Sequence, residues 1–360
     1  YHKTAVVEAA KYCDGILAVG DHVPDELLFM SSDFERVDLA VAYNGVPVRK
    51  TTLDERRASR ERLGAYFDGL FGWRPDLIFT HVTRMADSKA TWRDIGVLTA
   101  LEPALQERGK TAVLLVLATD QPRRPLHAIL RMEQQWDWPL AHREGDPDLT
   151  AGEARFYTRA QAFNARARCA RILYLNQFGF DRSTCGLRVP EQVEFLDVRR
   201  ASDVEFGLSL YEPFGISPLE PLTYGGLCVA STTCGCTGFV KQVGGNRASA
   251  NVILANYIDG VRRPRTIRDA LAIEFAERRE IEHRVAEQIA EQILKRLPPG
   301  DAEREAMMKS GYELARKMEF AKADDLYIAA ARGELGQRQL QLAPRGDAPL
   351  GNLLPDTAPT

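Results

Sequence analysis

Two carboxylates, Glu212 and Glu220, stand eight positions apart in LYEPFGISPLEPLTYGG, with Phe214-Gly215 and prolines between them and a glycine pair just downstream. A glycine leaves backbone that a phosphate or sugar can approach closely, and carboxylates accept hydrogen bonds from hydroxyl groups. The apolar run FGLSLY precedes Glu212, which places that residue at a strand end. Residues 216–224 then fit a helix, with Glu220 on its second turn. A helix N-terminus offers free N–H groups and a positive dipole end to an anion. Read alone, Glu220 could be one more surface carboxylate, although its place between Leu219 and Leu222 sets it on a crowded side.

A second cluster follows the apolar run LIFTHV. In THVTRMADSK, Arg84 and Lys89 lie five residues apart as the chain leaves that run. Arginine binds phosphate through a planar fork and lysine as a point charge, so the two fit a diphosphate clamp. Their ordinary state near a loop is solvated. A third segment, TTCGCTG from Thr232 to Gly238, follows LCVAS; its Thr233 and Gly235 could line the same cleft, and glycines at a tight turn are also expected for structural reasons alone.

These segments need a scaffold that gathers strand ends. GILAVG at 15, LIFTHV at 77, TAVLLVLAT at 111, RILYLNQF at 171, VEFLDV at 193, FGLSLY at 206 and LCVAS at 227 alternate with amphipathic stretches. Strands in a parallel sheet are covered on both faces and need no polar side, as TAVLLVLAT illustrates. The fold class is therefore α/β, a doubly wound parallel sheet, in which ligands bind beyond the carboxyl ends of the strands.

Before this sheet, residues 4–13 fit a helix, 15–20 a strand, 24–30 a helix, and a short strand ends at Asn44-Gly45. So short a piece cannot close a domain, and residues 1–48 are expected to be the remnant of a preceding domain. Residues 54–71 fit a charged helix. The principal domain is placed at 49–335, with an insertion at about 120–165, one long helix over 266–297 and another over 302–332. Residues 336–360, without periodicity, fit a disordered tail.

Composition limits the function classes. The chain has 360 residues, 45% hydrophobic and 27% charged, with a net charge of −3; nothing in that balance draws it to nucleic acid or to an anionic membrane. No run approaches the ~18 to 20 apolar residues of a membrane span, and the opening residues lack a secretory pattern, so a cytoplasmic location is expected. Six cysteines are too sparse for a disulfide scaffold. Cys234-Gly235-Cys236 resembles half a metal site, but no second pair completes it, and free thiols are the simpler reading.

Together the segments resemble the donor-binding half of a GT-B glycosyltransferase of the glycogen and starch synthase type, the retaining branch with two glutamates eight positions apart. YHKTAVVEAAKYCDGILAVGDHVPDELLFM is similar to the last helices of the acceptor domain, VAYNGVPV to the interdomain crossover, THVTRMADSK to the Arg/Lys loop, and LYEPFGISPLEPLTYGG to the donor motif. The resemblance runs from residue 1 to about 330. It implies a Rossmann-like donor domain with C-terminal helices, after a partial N-terminal domain. It implies catalytic roles for Arg84, Lys89 and Glu212: the two cations on the diphosphate, the carboxylate on hydroxyls of the transferred sugar. Donor contacts would come from Phe214, Gly215, Ile216, Thr233 and Gly235, with Glu220 on the ribose. The implied reaction moves a hexosyl group, glucose being the first candidate, from a nucleotide-sugar to a glycan or other sugar acceptor, with retention and with neither a cofactor nor a metal.

The alternative is a non-catalytic nucleotide-sugar-binding or scaffold protein on the same fold. A phosphorylase would need pyridoxal phosphate on a lysine, and no feature points to one. Two departures stand out. Ala90 follows Lys89 where the family commonly has glycine, which could shift the loop. Asp146 and Asp148 form the Asp-x-Asp of the other glycosyltransferase fold, here in a proline-rich loop away from any strand end. Base choice, acceptor and oligomeric state are not written in these motifs.

Overall fold

The structure, a computed structural model, describes residues 2–245, 249–259, 261, 266–318 and 332. In chain order they form α1 His2–Ala10, β1 Gly15–Ala18, α2 His22–Met30, β2 Asp38–Val41, α3 Leu53–Phe71, β3 Leu77–Arg84, α4 Trp92–Glu107, β4 Ala112–Thr119, α5 Leu126–Trp136, α6 Ala151–Asn164 and β5 Ala170–Leu175. There follow α7 Arg182–Cys185, α8 Phe195–Ala201, β6 Val204–Gly207, β7 Leu227–Ser231, α9 Cys236–Val243, β8 Val252–Ala255, α10 Ile267–Leu271, α11 Phe275–Arg296 and α12 Asp301–Lys317.

The main sheet is parallel, in the order β5-β4-β3-β6-β7-β8. The chain starts at its centre with β3, winds outward to β5, returns to β6 beside β3, and winds the other way. All eight residues of β4 are buried. Ala112, Leu114, Val116 and Ala118 face a core shared with α4, α6 and α11, while Val113, Leu115 and Leu117 face one shared with α3, α5 and α8. That two-sided covering is why the strand carries no polar face. A third cluster, with Phe214, Leu219, Cys234, Cys236, Leu314 and Met318, lies under the β6 and β7 loops.

The switch of winding direction falls between β3 and β6. Their ladder is two pairs long, Phe79↔Val204 and Thr80↔Glu205, whereas β3 and β4 pair over eight. Beyond Thr80 the strands part, and side chains replace the missing ladder. The Val82 amide donates to Glu205 Oε1 at 2.9 Å, and Ser217 Oγ donates to the Val82 carbonyl at 2.5 Å. Sheets of this kind carry their ligand crevice at that switch point.

Residues 15–41 form a separate parallel pair, β1 with β2. It is tied to the main body where His22 Nε2 meets the Thr232 carbonyl at 3.1 Å and Tyr211 donates to Glu26 at 2.6 Å. The closest approach is backbone to backbone. A Cβ at Gly20 would sit 2.1 Å from the Pro213 carbonyl oxygen, and one at Gly235 2.0 Å from the same atom. Only glycine fits on either side of Pro213.

Several expectations are corrected. VEFLDV at 193 enters α8: Glu194 and Asp197 close a reciprocal capping box, with the Glu194 amide bonded to Asp197 Oδ2 at 2.9 Å. FGLSLY is strand only up to Gly207, and β8 was not foreseen. Residues 266–297 are two helices, α10 and α11, rather than one. Residues 216–224 give a 3-10 helix, Ser217–Tyr224, because Pro221 inside it lacks the donor an α-helix needs. Of the helix expected over 302–332, α12 covers the part to Lys317; positions 319–331 and the tail at 336–360 lie outside the described residues. Among the described residues no helix is long and apolar enough to cross a membrane.

Candidate functional site at the sheet switch point

Arg84 is the last residue of β3 and is exposed. A 3-10 turn, Asp87–Lys89, then brings Lys89 back over the crevice, and Ala90 ends it at φ 48, ψ 41. Ala90 thus takes the left-handed conformation that glycine takes freely. The β6 side is joined to this loop where the Leu210 amide donates to the Ser88 carbonyl at 2.8 Å.

Glu212 is held by a short parallel extension beyond β6 and β7. It forms a bridge with Cys234; the Gly235 amide donates to the Glu212 carbonyl at 3.0 Å and the Cys236 amide to Phe214 at 2.8 Å. Lys89 Nζ rests on Glu212 Oε2, with side-chain exposures of 13% and 22%. Residues 123 positions apart thus meet as an ion pair at the strand ends. Burial lowers the pKa of Lys89, and neighbouring Arg84 lowers it further; an added anion favours its charged form.

Gly215 lies at φ 87, and a Cβ there would come 3.1 Å from Glu212 Cγ. A side chain would strain the turn and press on the carboxylate. Ile216 is half-buried beside it. Glu220 keeps 26% exposure and rests against Arg199. Burial raises its pKa; the Arg199 charge opposes that rise and Glu205 adds to it.

Three expected donor contacts are placed differently. The Phe214 side chain is in the core, 3% exposed, between Tyr43 and Phe239, and anchors the loop from below. Thr233 turns its hydroxyl to Ser231 Oγ at 2.7 Å and the Ser209 carbonyl at 3.2 Å. Gly235 is buried against Gly20 and Pro213. Both position the Glu212 loop.

Sequence reasoning missed Arg199, Glu205 and Ser217. Glu205 is fully buried on β6, where it meets Thr80 Oγ1, the Val82 amide and Arg199 Nη1, the last at 2.9 Å. A carboxylate inside an apolar parallel strand, DVEFGL, was the available signal. His81 and Asp94 form another buried pair behind the Arg84 loop, Nδ1 to Oδ2 at 2.5 Å.

Asp148 of the Asp-x-Asp is fully engaged, by His142 Nδ1 at 2.9 Å, Trp136 Nε1 at 2.9 Å, Asn176 Nδ2 at 3.0 Å and the Arg143 amide. It folds the 120–165 segment onto β5. Of the cysteines, Cys13 is exposed, Cys169 half-buried and the other four buried, all as free thiols. A cavity of about 270 Å³ opens beside the Arg84 loop, lined by Asp87, Trp92, Asp120, Arg155 and Arg159, away from Lys89 and Glu212.

No family model matches this sequence, and no curated protein is similar to it. Solved structures are. A trehalose-phosphate synthase (UDP-forming) from Burkholderia vietnamiensis superposes with a TM-score of 0.53 at 16% identity, over 91% of this chain and 62% of its own. WaaG, a glycosyltransferase involved in lipopolysaccharide biosynthesis, gives 0.50 at 13%, over 92% and 67%. The fold is that of the GT-B glycosyltransferases. The N-terminal domain of Candida albicans trehalose-6-phosphate phosphatase shares it, at 0.57 and 10% identity over 92% and 60%, so the GT-B fold occurs in proteins named for different reactions. This chain spans about three fifths of the length of the synthase and of the phosphatase domain.

Proposed function

We propose that this chain is the donor-binding part, at 49–335, of a cytoplasmic retaining hexosyltransferase, with residues 1–48 belonging to an acceptor lobe. The supporting observation is the Lys89 and Glu212 pair at the switch point, with Arg84 beside it. Arg84 and Lys89 take the donor diphosphate, Glu212 takes hydroxyls of the hexose, glucose being the first candidate, and Glu220 takes the ribose. In the reaction the bond from the sugar anomeric carbon to the phosphate oxygen breaks and one to the acceptor hydroxyl oxygen forms, on the same face. The acceptor proton leaves to the departing phosphate. Charge grows on that phosphate, and positioned cations stabilise it, a role in which no metal is needed. The named synthase neighbours favour a sugar or sugar phosphate as acceptor.

The test is transfer by the full-length gene product from UDP-, ADP- and GDP-glucose to glycan, glucose and glucose 6-phosphate acceptors, with the anomeric configuration of the product read by NMR. Glu212→Ala is expected to lose transfer by about 10²-fold or more. Transfer unaffected by that change refutes the role given to Glu212. The second reading is a nucleotide-sugar-binding or scaffold protein on the same fold; nucleotide binding with no transfer to any acceptor supports it.

A further inference from the structure

Arg199 sits on the last turn of α8, 4% exposed, with its guanidinium over the Phe195 ring. It reaches three acceptors on three elements. Nη1 lies 2.9 Å from Glu205 Oε1 on β6, Nη2 donates to Ser217 Oγ at 3.1 Å at the start of the 3-10 helix, and the same nitrogen rests on Glu220. Ser217 and Glu205 are also the groups that complete the Val82 backbone where β3 and β6 part. The guanidinium therefore links the point where β3 and β6 part to Glu220, the one acidic residue of the 3-10 helix.

Two buried carboxylates this close cannot both stay ionised without a cation. Glu205 is sealed and satisfied by its own bonds. Glu220 keeps 26% exposure and is the one whose protonation state is at stake. We infer that Arg199 is the positioning residue of the donor site: wedged between Glu205 and Glu220, it keeps Glu220 ionised and aimed at the crevice, and so sets the lower pH bound of nucleotide binding. This rests on the reading of Glu220 as the ribose carboxylate.

The charges acting on Glu220 are Arg199 from α8 and Glu205 from β6; Glu220 in turn acts on Tyr224 of the 3-10 helix, as do Arg49 and Arg200, while His81 of β3 and Cys228 of β7 face Glu205. Arg304 of α12 is turned away, on Asp203 and the Gly225 carbonyl. Burial and Glu205 raise the Glu220 pKa and Arg199 lowers it. Binding that needs the carboxylate is lost as pH falls through that value. Removing Arg199 moves the loss to higher pH; removing the Glu205 charge moves it to lower pH.

The experiment is calorimetric titration of UDP, ADP and GDP into the full chain from about pH 4 to about pH 8, a span chosen around a perturbed carboxylate. Wild type is compared with Arg199→Gln, Arg199→Lys, Glu205→Gln and Glu220→Gln. Titration of the nucleotide phosphate is common to all and cancels in the comparison. The expected result is an acid limb displaced upward in Arg199→Gln, restored toward wild type in Arg199→Lys, displaced downward in Glu205→Gln and absent in Glu220→Gln. A merely structural arginine would weaken binding equally at every pH. Should Arg199→Gln fail to fold, the downward shift in Glu205→Gln, whose amide can still accept the Val82 bond, carries the test. If Glu220→Gln weakens binding but neither Arg199→Gln nor Glu205→Gln moves the limb, the inference fails and the ribose reading stands. If Glu220→Gln binds as wild type does, the ribose reading fails.

Discussion

Gly235→Ala probes how the Glu212 loop is held. Gly235 has ordinary helical φ and ψ, −59 and −26, so alanine meets no backbone penalty there. The obstacle is space: the new methyl would lie 2.0 Å from the Pro213 carbonyl oxygen and 2.9 Å from Gly20 Cα. Relief requires the strands to separate by about an ångström, a displacement of the size that costs a positioned catalytic group about 10²-fold in rate. It is passed on directly, because the Gly235 amide is bonded to the carbonyl of Glu212, the residue before Pro213. Overpacking of this kind costs about 1 to 3 kcal/mol, at about 2 to 4 °C of Tm per kcal/mol for a domain of this size. The assays are thermal unfolding and transfer from a nucleotide-sugar. The control is Gly69→Ala in α3, where a methyl meets nothing within 4 Å and stability should rise by about 0.5 to 1 kcal/mol. A Gly235→Ala protein that melts with wild type and transfers at the wild-type rate refutes the steric argument.

Lys89→Met should weaken UDP binding by about 10- to 100-fold, the worth of one charged hydrogen bond; calorimetry reads it, and unchanged affinity would remove Lys89 from the diphosphate site. Ala90→Gly relieves about 1 to 2 kcal/mol of left-handed strain and forfeits about 0.8 kcal/mol for the buried methyl. Urea unfolding should therefore move by less than about 1 kcal/mol, and a larger change would mean that the loop is held otherwise. Burial alone would raise the Asp203 pKa, but Arg60, Arg304 and Arg56 hold it well below the usual carboxylate range. Its stabilisation is present above the unfolded value of about 3.9 and is lost as pH falls toward the folded value. Asp203→Asn should cost about 3 to 5 kcal/mol at neutral pH, and urea midpoints against pH should lose part of their acid slope.

The sheet was legible where residues are buried on both faces. TAVLLVLAT and LCVAS have no helical alternative of that length, and they became β4 and β7. VEFLDV was misread because a short run with two valines and a phenylalanine fits a strand, while Asp197, which accepts from the Glu194 amide, is a local helix-start signal. β8 is four residues long and carried too little pattern. At the site, Lys89 and Glu212 were legible as residue types after strand ends, and their meeting followed from strand order. The motif that contains Phe214 does not say which side chains point inward, and its ring lies in the core. Arg199 stayed hidden because an arginine in FLDVRRA looks like a solvated helix end; only the packing of α8 on the 3-10 helix puts it between two carboxylates.

Charge is compensated in two ways here, and exposure separates them. Asp203 with Arg56 is 1% and 2% exposed, and with Arg60 and Arg304 it joins α3 and α12 to the start of β6. Arg60 keeps 27% exposure and Arg304 13%, but the carboxylate they share is sealed, and burial lowers the pKa of Arg56 to about 9. Glu212 at 22% and Glu220 at 26% are paired with cations yet keep part of their carboxylates exposed. An ion pair of that kind keeps both charges in place without a ligand, because removing either partner would leave the other half-desolvated. On the function proposed above, a diphosphate would take Lys89 while sugar hydroxyls hydrogen-bond Glu212. The sealed carboxylate ties α3 and α12 to β6, whereas the pairs Lys89 with Glu212 and Arg199 with Glu220 belong to the site proposed for the donor.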